Sequence, residues 1–485
     1  MNKYITIIAI ALLTASCGIY KPYARPEVAV DNLYGEEYNT SDTTSIADVE
    51  WREFFTDDKL QRLIEQGLEN NTDVESAYWR VKEAEATLKS ARLAFLPSFS
   101  LNPNGGVSSF DQSAGAWSYS VPLSASWQID IFGGLNNAKR RAKALYAQSM
   151  EYRQAVRTQL ISTVATYYYT LLLLDGQYEA TRLTAESLIA SAETMRAMMQ
   201  AGMTNQAGVS QMEAAAYAAE TSLYDIKQQI REVENSLCSL LGDTPHTIER
   251  TTLAEQHLPE TLLTGVPVRM LSNRPDVRIA EYSLMQAYYS TAAARSALYP
   301  TLTLGGLVGW TNNAGAVVTN PASILLSATA SLVAPIFNAN KARSQVRIAE
   351  AQQQEALLSF RQSLLNAGGE VNDALTQVQT ARAKRELREK QVAALRAASE
   401  NTALLMQYGS TTYLEVLTAQ QELLAGLISE MSDRYDEISG VVNLYTALGG
   451  GRESDEAAAA SMEAADEQAK DRKRAARHME KGSKR

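Results

Sequence analysis

Apolar and polar residues alternate strictly in several short stretches of the chain. From residue 118 to 131 almost every second residue is apolar, and serine occupies most of the positions between them. A period of two with one apolar and one polar face predicts a β-strand between water and an apolar phase. Residues 301–310 and 324–336 show the same alternation, and residues 98–107 show a weaker one that Pro103 interrupts. The pattern therefore predicts four strands.

These strands have two possible settings. A soluble sandwich with one wet face is the ordinary interpretation, but it needs further strands to cover the apolar rows. The rest of the sequence supplies no such strands, which favours contact with lipid. After the N-terminal segment no stretch of about 18 consecutive apolar residues occurs, so any further membrane crossing has to use β-strands.

The long segments beside the strands follow a helical pattern. Proline is absent between Pro122 and Pro245 and after Pro335, so nothing there forbids a long helix. Residues 138–200 and 341–407 are each predicted to form one helix of about 95–100 Å. Each is followed, after a glycine, by an apolar stripe with the 3.5-residue period of a coiled coil. The stripes comprise Val209, Met212, Ala216, Ala219, Leu223, Ile226, Ile230, Val233, Leu237 and Leu240, and Leu414, Leu417, Gln421, Leu424, Ile428, Met431, Tyr435, Ile438, Val442 and Tyr445.

The sequence contains two copies of one unit. Residues 91–101 resemble residues 294–304 at an offset of 203 (294 − 91). Residues 202–204 correspond to residues 409–411 at an offset of 207 (409 − 202). Each copy has a helical segment, a strand pair and a long helical hairpin in the same order. The repeats are predicted to occupy residues 51–250 and 251–451.

The two ends of the chain carry different signals. Residues 1–16 combine a lysine, a short apolar run and small residues, which predicts a signal peptide cleaved before Cys17. Lipidation of Cys17 and a lipid-anchored segment over residues 17–50 are expected, with an ordinary secreted protein as the alternative. Gly18 stands where an aspartate would resemble an inner-membrane retention signal, which favours the outer membrane. Residues 452–485 are polar without an apolar stripe, so we expect a disordered tail.

Composition excludes several classes of function. Lys and Arg number 45 and Asp and Glu number 55, a net charge of −10, so nucleic acid is not an expected partner. Cys238 has no disulfide partner once Cys17 is lipidated, and the three histidines are scattered, so no metal site is predicted. We find no nucleophile elbow, phosphate-binding glycine loop or metal-ligand array, so we predict neither an enzyme nor a cofactor.

The predicted strands require more than one chain. The smallest outer-membrane barrels have about eight strands, and open sheet edges are not tolerated in lipid. Two chains would give a narrow barrel, whereas three chains of four strands each give twelve. The predicted fold class is therefore mainly α with a membrane β-barrel: a long coiled-coil α-barrel plus four strands per chain, closing as a 12-stranded β-barrel in a homotrimer. A coiled-coil tether without a pore is the alternative, and the duplicated strand pairs argue against it.

Several motifs resemble those of one protein family. They are Trp51 with Phe55 and Leu60, Arg274-Pro275-Asp276-Val277, the strand-initiating Pro97 and Pro300, and residues 332–337, 413–417 and 445–451. No single motif is decisive, but their order, spacing and duplication over residues 17–451 resemble the TolC/OprM-like outer-membrane efflux proteins, particularly their lipoprotein branch.

This resemblance implies an exit duct in the outer membrane whose helical barrel extends into the periplasm. Such a duct belongs to a tripartite efflux system, in which small molecules such as drugs pass from an inner-membrane pump of the resistance-nodulation-division kind through a periplasmic adaptor. The duct of a type I protein secretion system is the alternative. The cargo, the pump and the adaptor are not specified by the sequence.

The resemblance also assigns residues to sites. The hairpin tips that would contact the adaptor are Gly202, Met203, Thr204, Gly409, Ser410 and Thr411. The periplasmic gate of the family corresponds by position to Gly208, Thr411, Glu415 and Thr418. Because only Glu415 among them is acidic, an acidic ring at Glu415 and an apolar constriction at Leu414 both remain open.

Overall fold

The computed structural model describes residues 22–26, 49–109, 111, 114–257, 274–311, 324–453 and 455–482. Cys17 lies outside these residues. None of the helices within them is both long and apolar enough to span a membrane. In chain order the elements are α1 (Trp51–Phe54), α2 (Asp58–Asn70), α3 (Thr72–Leu93), β1 (Ser98–Leu101), β2 (Asn104–Ser108), β3 (Ala116–Ile129), α4 (Gly134–Gln200), α5 (Gln206–Leu240), α6 (Pro275–Ser296), β4 (Thr301–Thr311), β5 (Ile324–Val333), α7 (Lys341–Gln407), α8 (Tyr413–Ala447) and α9 (Asp455–Gly482).

The helices of the two sequence repeats have equal lengths. Helices α3 and α6 have 22 residues each, α4 and α7 have 67 each, and α5 and α8 have 35 each. The two long helices begin and end within a few residues of the predicted ranges, because no proline interrupts them. The duplication found in the sequence is therefore also a duplication of structure.

By its contacts the chain divides into two compact units that cut across both repeats. The first comprises Met1–Val28, Trp79–Glu151 and Arg278–Ser363, and it holds the sheet. The second comprises Ala29–Tyr78, Tyr152–Val277 and Leu364–Arg485. Each repeat contributes to both units, so the predicted boundaries at residues 51, 251 and 451 describe the sequence rather than the packing.

The sheet is antiparallel, with β3 and β4 in its centre and the order β1-β3-β4-β5. Strand β2 also pairs with β3, so β1 and β2 occupy one position in the sheet, as two halves of the strand that Pro103 interrupts. At this break the Asn102 amide donates to the Pro122 carbonyl at 3.2 Å. Four strand positions result, as predicted, with β1/β2 at one edge and β5 at the other.

The pairing register places apolar side chains on one face of the sheet and mainly hydroxyl-bearing side chains on the other. The apolar face comprises Phe99, Leu101, Val107, Trp117, Tyr119, Val121, Leu123, Ala125, Trp127, Ile129, Leu302, Leu304, Val308, Trp310, Ile324, Leu326, Ala328, Ala330 and Leu332, together with glycines. The opposite face includes Ser98, Ser100, Ser118, Ser120, Ser124, Ser126, Thr301, Thr303, Ser327, Thr329 and Ser331. Neither set contains a charged residue.

In the second unit, the motifs at the start of one repeat and the end of the other meet in the core. The Tyr445 ring stacks on Phe54 with centroids 4.1 Å apart, and its hydroxyl donates to the Val49 carbonyl at 2.9 Å. The buried Arg274 donates to the Ala447 carbonyl at 2.7 Å and to Glu370 at 2.5 Å. These motifs therefore join the C-terminal end of α8 to the rest of the unit.

The C-terminal tail differs from its prediction, because residues Asp455–Gly482 form helix α9 instead of a disordered segment. Ala, Glu, Lys, Arg and Gln are strong helix formers, so a helix does not require an apolar stripe. Ion pairs also hold the tail to α4: Glu453 lies 3.2 Å from Arg153 and 2.5 Å from Arg157. Farther along, Asp466 accepts a hydrogen bond from Tyr78.

The apolar stripe of α8 was also predicted in the wrong register over its first half. Leu414, the first predicted seam residue, is 57% exposed, while Val416, Gln420 and Gly426 are buried. Val416 and Gly426 correspond to the buried Val209 and Ala219 of α5 at the offset of 207. At these two positions the seams therefore do superpose, which the sequence did not reveal because glycine occupies one of them in α8.

Candidate functional site

The tip of each long hairpin is a tight turn built on a glycine. Gly202 has a φ of +73° and Gly409 has a φ of +68°, a region that glycine enters without steric cost. The Met203 amide donates to the Met198 carbonyl at 2.9 Å, and the Ser410 amide donates to the Leu405 carbonyl at 2.9 Å. Both turns thus end their helices with the same Schellman motif.

The structure brings the predicted tip residues of both hairpins together. The Met203 methyl carbon lies 3.9 Å from the position that a β-carbon would take on Gly409. Met203 itself is 63% exposed, and Ser410 is also exposed. Thr204 and Thr411 are half-buried beside them. The tips therefore form one surface with polar and apolar parts.

Tyr413, at the first position of α8, anchors the tips to one another. Its ring packs against a cluster of Met195, Val209, Met406 and Val416 and against a second one that includes Met212. Sequence reasoning placed Tyr413 within a family motif but gave it no function. Its position links α8 to both helices of the first hairpin.

Gly208, predicted as a gate residue, occupies a packing position instead. It is buried, and a β-carbon there would lie 3.0 Å from the Tyr413 ring and 2.9 Å from the Met195 methyl carbon. Side chains this close leave no open surface at Gly208. The glycine allows α5 and α8 to approach closely.

The other predicted gate residues share an exposed surface at the start of α8. Leu414, Glu415 and Thr418 are all exposed. The Glu415 carboxylate accepts a hydrogen bond from the Thr411 hydroxyl, and a second one from Thr412 at 3.5 Å. A carboxylate in the first turn of a helix is also favoured by the helix dipole. The surface therefore presents a fixed negative charge next to an apolar side chain.

Sequence reasoning missed two polar contacts near this region, one from α8 to the first hairpin and one within the first hairpin. The buried Gln420 of α8 donates to the hydroxyls of Ser187 at 2.9 Å and Ser191 at 3.2 Å on α4. Between α4 and α5, Arg196 forms an ion pair with Glu213. The predicted apolar stripe of α8 passed through Gln421 and not Gln420, so the sequence pattern did not point to this contact.

Farther along, the second hairpin is held by charges. Glu437 is buried and pairs with Arg382 at 3.0 Å and Arg434 at 2.8 Å, while Asp433 pairs with Arg388 at 2.7 Å. At the offset of 207, Asp433 and Glu437 correspond to Ile226 and Ile230 of the first hairpin.

In the part of the chain that the structure describes, no group of three or more His, Cys, Asp or Glu residues is placed to hold a metal ion.

Comparison with known proteins identifies the family of this fold. The family described as outer membrane efflux protein matches residues 63–243 and 266–450. The chain belongs to this family. It is accordingly an outer-membrane efflux channel protein, as predicted, and helix α9 lies beyond the matched residues. The family and the relatives below are transport proteins.

Similar proteins occur in several bacteria. The cation efflux system protein CusC of Escherichia coli K12 is 27% identical over 447 residues, which cover 91% of this chain and 98% of that protein. The pyoverdine export outer membrane protein OpmQ of Pseudomonas putida is 29% identical over 94% of this chain and 99% of its own length. A further relative is the probable outer membrane lipoprotein SilC of Salmonella typhimurium, 27% identical over 93% and 98%.

Solved structures share the fold. A crystal structure of CusC superposes with a TM-score of 0.80 at 26% identity, covering 90% of this chain and 100% of that one. The Campylobacter jejuni CmeC outer membrane channel superposes with a TM-score of 0.83 at 21% identity, covering 93% and 98%. These likenesses confirm the predicted fold class, long helices combined with a few antiparallel strands in an outer-membrane channel.

Proposed function

We propose that three copies of this chain form the exit duct of a tripartite efflux system, which passes small molecules from an inner-membrane pump of the resistance-nodulation-division kind through a periplasmic adaptor to the outside. The observation that carries the proposal is the sheet, which has one apolar face and, among the residues that the structure describes, an edge strand on each side whose outer side has no strand partner. Backbone groups at such edges require partners in lipid. Pairing of β5 with β1/β2 of the next copy supplies them and closes twelve strands from three chains of four.

Aromatic residues support a membrane position for the sheet. Trp117 and Trp127 lie on the apolar face, ten residues apart on β3 (127 − 117). At about 3.4 Å per residue and a tilt of about 40°, this separation corresponds to about 25 Å of membrane thickness. That value matches the apolar band between the two aromatic girdles of outer-membrane barrels.

The described N-terminal residues support a lipid anchor at Cys17. Tyr23 packs on Tyr288 with ring centroids 5.7 Å apart, and Arg25 lies 3.6 Å from Glu281. Cys17 precedes Tyr23 by six residues (23 − 17), over which an extended chain reaches about 20 Å. Tyr288 precedes β4 by 13 residues (301 − 288), mostly helical, which is also about 20 Å. A chain of this length is thus long enough to join Tyr23 to the level at which β4 begins.

We further propose that the start of α8 forms the periplasmic gate. Leu414, Glu415 and Thr418 are exposed, and each of the three chains contributes one copy of each side chain. The three leucines form an apolar constriction, and the glutamates with the threonines form a polar ring. Tyr413 and Gln420 hold α8 on α4 and keep the gate closed. The tip surface around Gly202, Met203, Thr204, Gly409, Ser410 and Thr411 is the proposed contact for the adaptor.

The proposed cargo is a class of small molecules and not one compound. The relatives are named for cations, for pyoverdine and, in Pseudomonas putida, for toluene. One duct fold thus accompanies unrelated cargoes, which is expected when the pump selects. Secretion of unfolded protein by a type I system is the competing function, and deletion of the gene separates the two.

Two experiments test this proposal. The first examines the full-length protein purified in mild detergent, and the second examines a strain from which its gene has been deleted. We expect a ring-shaped trimer by electron microscopy, discrete conductance in planar bilayers, and raised sensitivity of the deletion strain to dyes, detergents or antibiotics. A stable monomer without conductance would refute the duct. Unchanged sensitivity together with loss of a secreted protein would replace small-molecule efflux by protein secretion.

A further inference from the structure

Methionine is concentrated at the tip of the first hairpin. The chain has 13 methionines, and four of them, Met195, Met198, Met199 and Met203, fall within nine residues (203 − 195 + 1). Met195 and Met406 are buried in one cluster with Val209 and Val416, and Met198 and Met199 pack against it. Four thioethers from two hairpins therefore meet in a single cluster, and a fifth, that of Met203 in the first tip turn, lies next to Gly409 of the second tip turn.

The second hairpin shows that this turn does not require four methionines for its fold. At the offset of 207, Met195, Met198, Met199 and Met203 correspond to Thr402, Leu405, Met406 and Ser410. The second turn nevertheless has the same Schellman hydrogen bonds and the same glycine conformation. The concentration of sulfur at the first tip thus exceeds what the turn itself needs.

Thioether sulfur is a soft, neutral ligand that prefers soft monovalent cations such as Cu(I) and Ag(I) over hard divalent ones. We propose that Met195, Met198, Met199 and Met406 form a binding site for a soft monovalent cation at the hairpin tips, with Met203 at its mouth. A thioether carries no titratable proton, so binding of the cation releases no proton. The affinity should therefore be independent of pH between about 5 and 7, unlike that of a cysteine or histidine site.

The site is accessible from the side on which cargo or adaptor would arrive. Met198 and Met199 are half-buried and Met203 is largely exposed, while Met195 and Met406 lie beneath them. A cation would therefore join the first hairpin to α7 at the same place where Tyr413 joins them to α8. This inference concerns binding by the tips and stands whether or not the protein conducts.

The test measures Ag(I) binding to the purified full-length protein by titration calorimetry. In the test variant Met195, Met198, Met199 and Met406 are all changed to Leu, which keeps the apolar volume of the cluster. Size exclusion and circular dichroism verify that this variant folds. Changes outside the first ligand shell already weaken metal sites about 10- to 100-fold, so we expect at least about 100-fold weaker binding in this variant. A matched variant with Met212, Met285 and Met431 changed to Leu should bind as the wild type does.

The thiol of Cys238 provides the necessary control, because Ag(I) also binds thiols. Cys238→Ser should bind Ag(I) unchanged, and X-ray absorption of the Cu(I) form should give a first shell of sulfur only. Full affinity in the quadruple variant, loss of binding in Cys238→Ser, or a first shell of nitrogen and oxygen would each overturn the proposal. In the first case the methionines serve only as adaptable packing at the tip.

Discussion

At the scale of single residues, Gly208 sets the distance between α5 and the first turn of α8. Gly208→Ala would place a methyl group 3.0 Å from the Tyr413 ring, an overpacked contact that costs about 1–3 kcal/mol. We expect Tyr413 to be displaced and the proposed gate to loosen, so that single-channel conductance at low voltage rises. Gly369→Ala is the control, because a β-carbon at Gly369 meets nothing within 4 Å. Equal conductance of both variants would contradict a closing role for Tyr413.

Asp57 provides a second residue-scale prediction, on pH. Burial alone would raise the pKa of its carboxyl, but hydrogen bonds from Thr251, Tyr168, Gln256 and the Lys59 amide outweigh burial and hold the pKa below its usual range. A lowered folded-state pKa contributes stability above the unfolded pKa of about 3.9, and this stability is lost as pH falls through the folded pKa.

Asp57→Asn should therefore lower the thermal midpoint at pH 7, and the gap to the wild type should narrow as the pH falls below about 4. Circular dichroism melts at pH 7, 5 and about 3.5 measure this gap. A gap of constant size across the three would mean that the carboxylate charge contributes nothing.

At the scale of elements, the ion pairs of Glu453 hold the start of helix α9 on α4. Glu453 pairs with Arg153 and Arg157, whose side chains are largely buried, and hydrogen bonds to charged groups contribute about 1.5–3 kcal/mol each. Glu453→Gln should release α9 and speed tryptic cleavage within its lysine- and arginine-rich second half by at least about tenfold. Conductance should not change, since the family match ends at residue 450.

The exposed Glu463 gives the matched control for this experiment. Glu463→Gln makes the same change of charge on α9 without removing an ion pair to α4, so its cleavage rate should equal that of the wild type. Rapid cleavage in both variants would show that net charge, and not the Glu453 contact, keeps α9 in place.

The elements also show which features of the fold can be predicted from the sequence. The lengths of α4 and α7 were predictable because a long helix needs only the absence of proline, and the strands were predictable from their period of two. The seam of α8 was not, because Gly426 is buried there through close contact with Leu395, which an apolar pattern does not register. Helix α9 was missed because its ion-pair partners Arg153 and Arg157 lie about 300 residues away in sequence (453 − 153).

The candidate site followed the same division. The tip glycines could be located by repeat comparison, because a left-handed turn demands glycine wherever it occurs. The burial of Gly208 and the hydrogen bonds of Gln420 with Ser187 could not, because they depend on which helices become neighbours. Partners distant in sequence leave no local pattern, so only the structure assigned them.

At the scale of the whole molecule, the two faces of the sheet predict opposite responses to charge. Leu326 lies on the apolar face near its middle and is 78% exposed, while Ser327 lies on the polar face. Arginine on a lipid-facing strand position costs about 2–4 kcal/mol at the bilayer midplane. Leu326→Arg should therefore reduce the yield of trimer in the outer membrane, and Ser327→Arg should leave it unchanged. The opposite order, measured in membrane fractions, would mean that the faces are assigned the wrong way round.

The equal helix lengths of the two halves bear on how a chain of this kind could have arisen from a shorter one. A gene half this long would encode one strand pair and one helical hairpin, and six such units would supply the same twelve strands as three modern chains. Fusion of two such units in one gene would let each half change alone, and Ile226 and Ile230 of the first hairpin indeed correspond to Asp433 and Glu437 of the second. A ring of six units has sixfold symmetry, so the trimer proposed above would keep that symmetry in its helix lengths but not in its side chains.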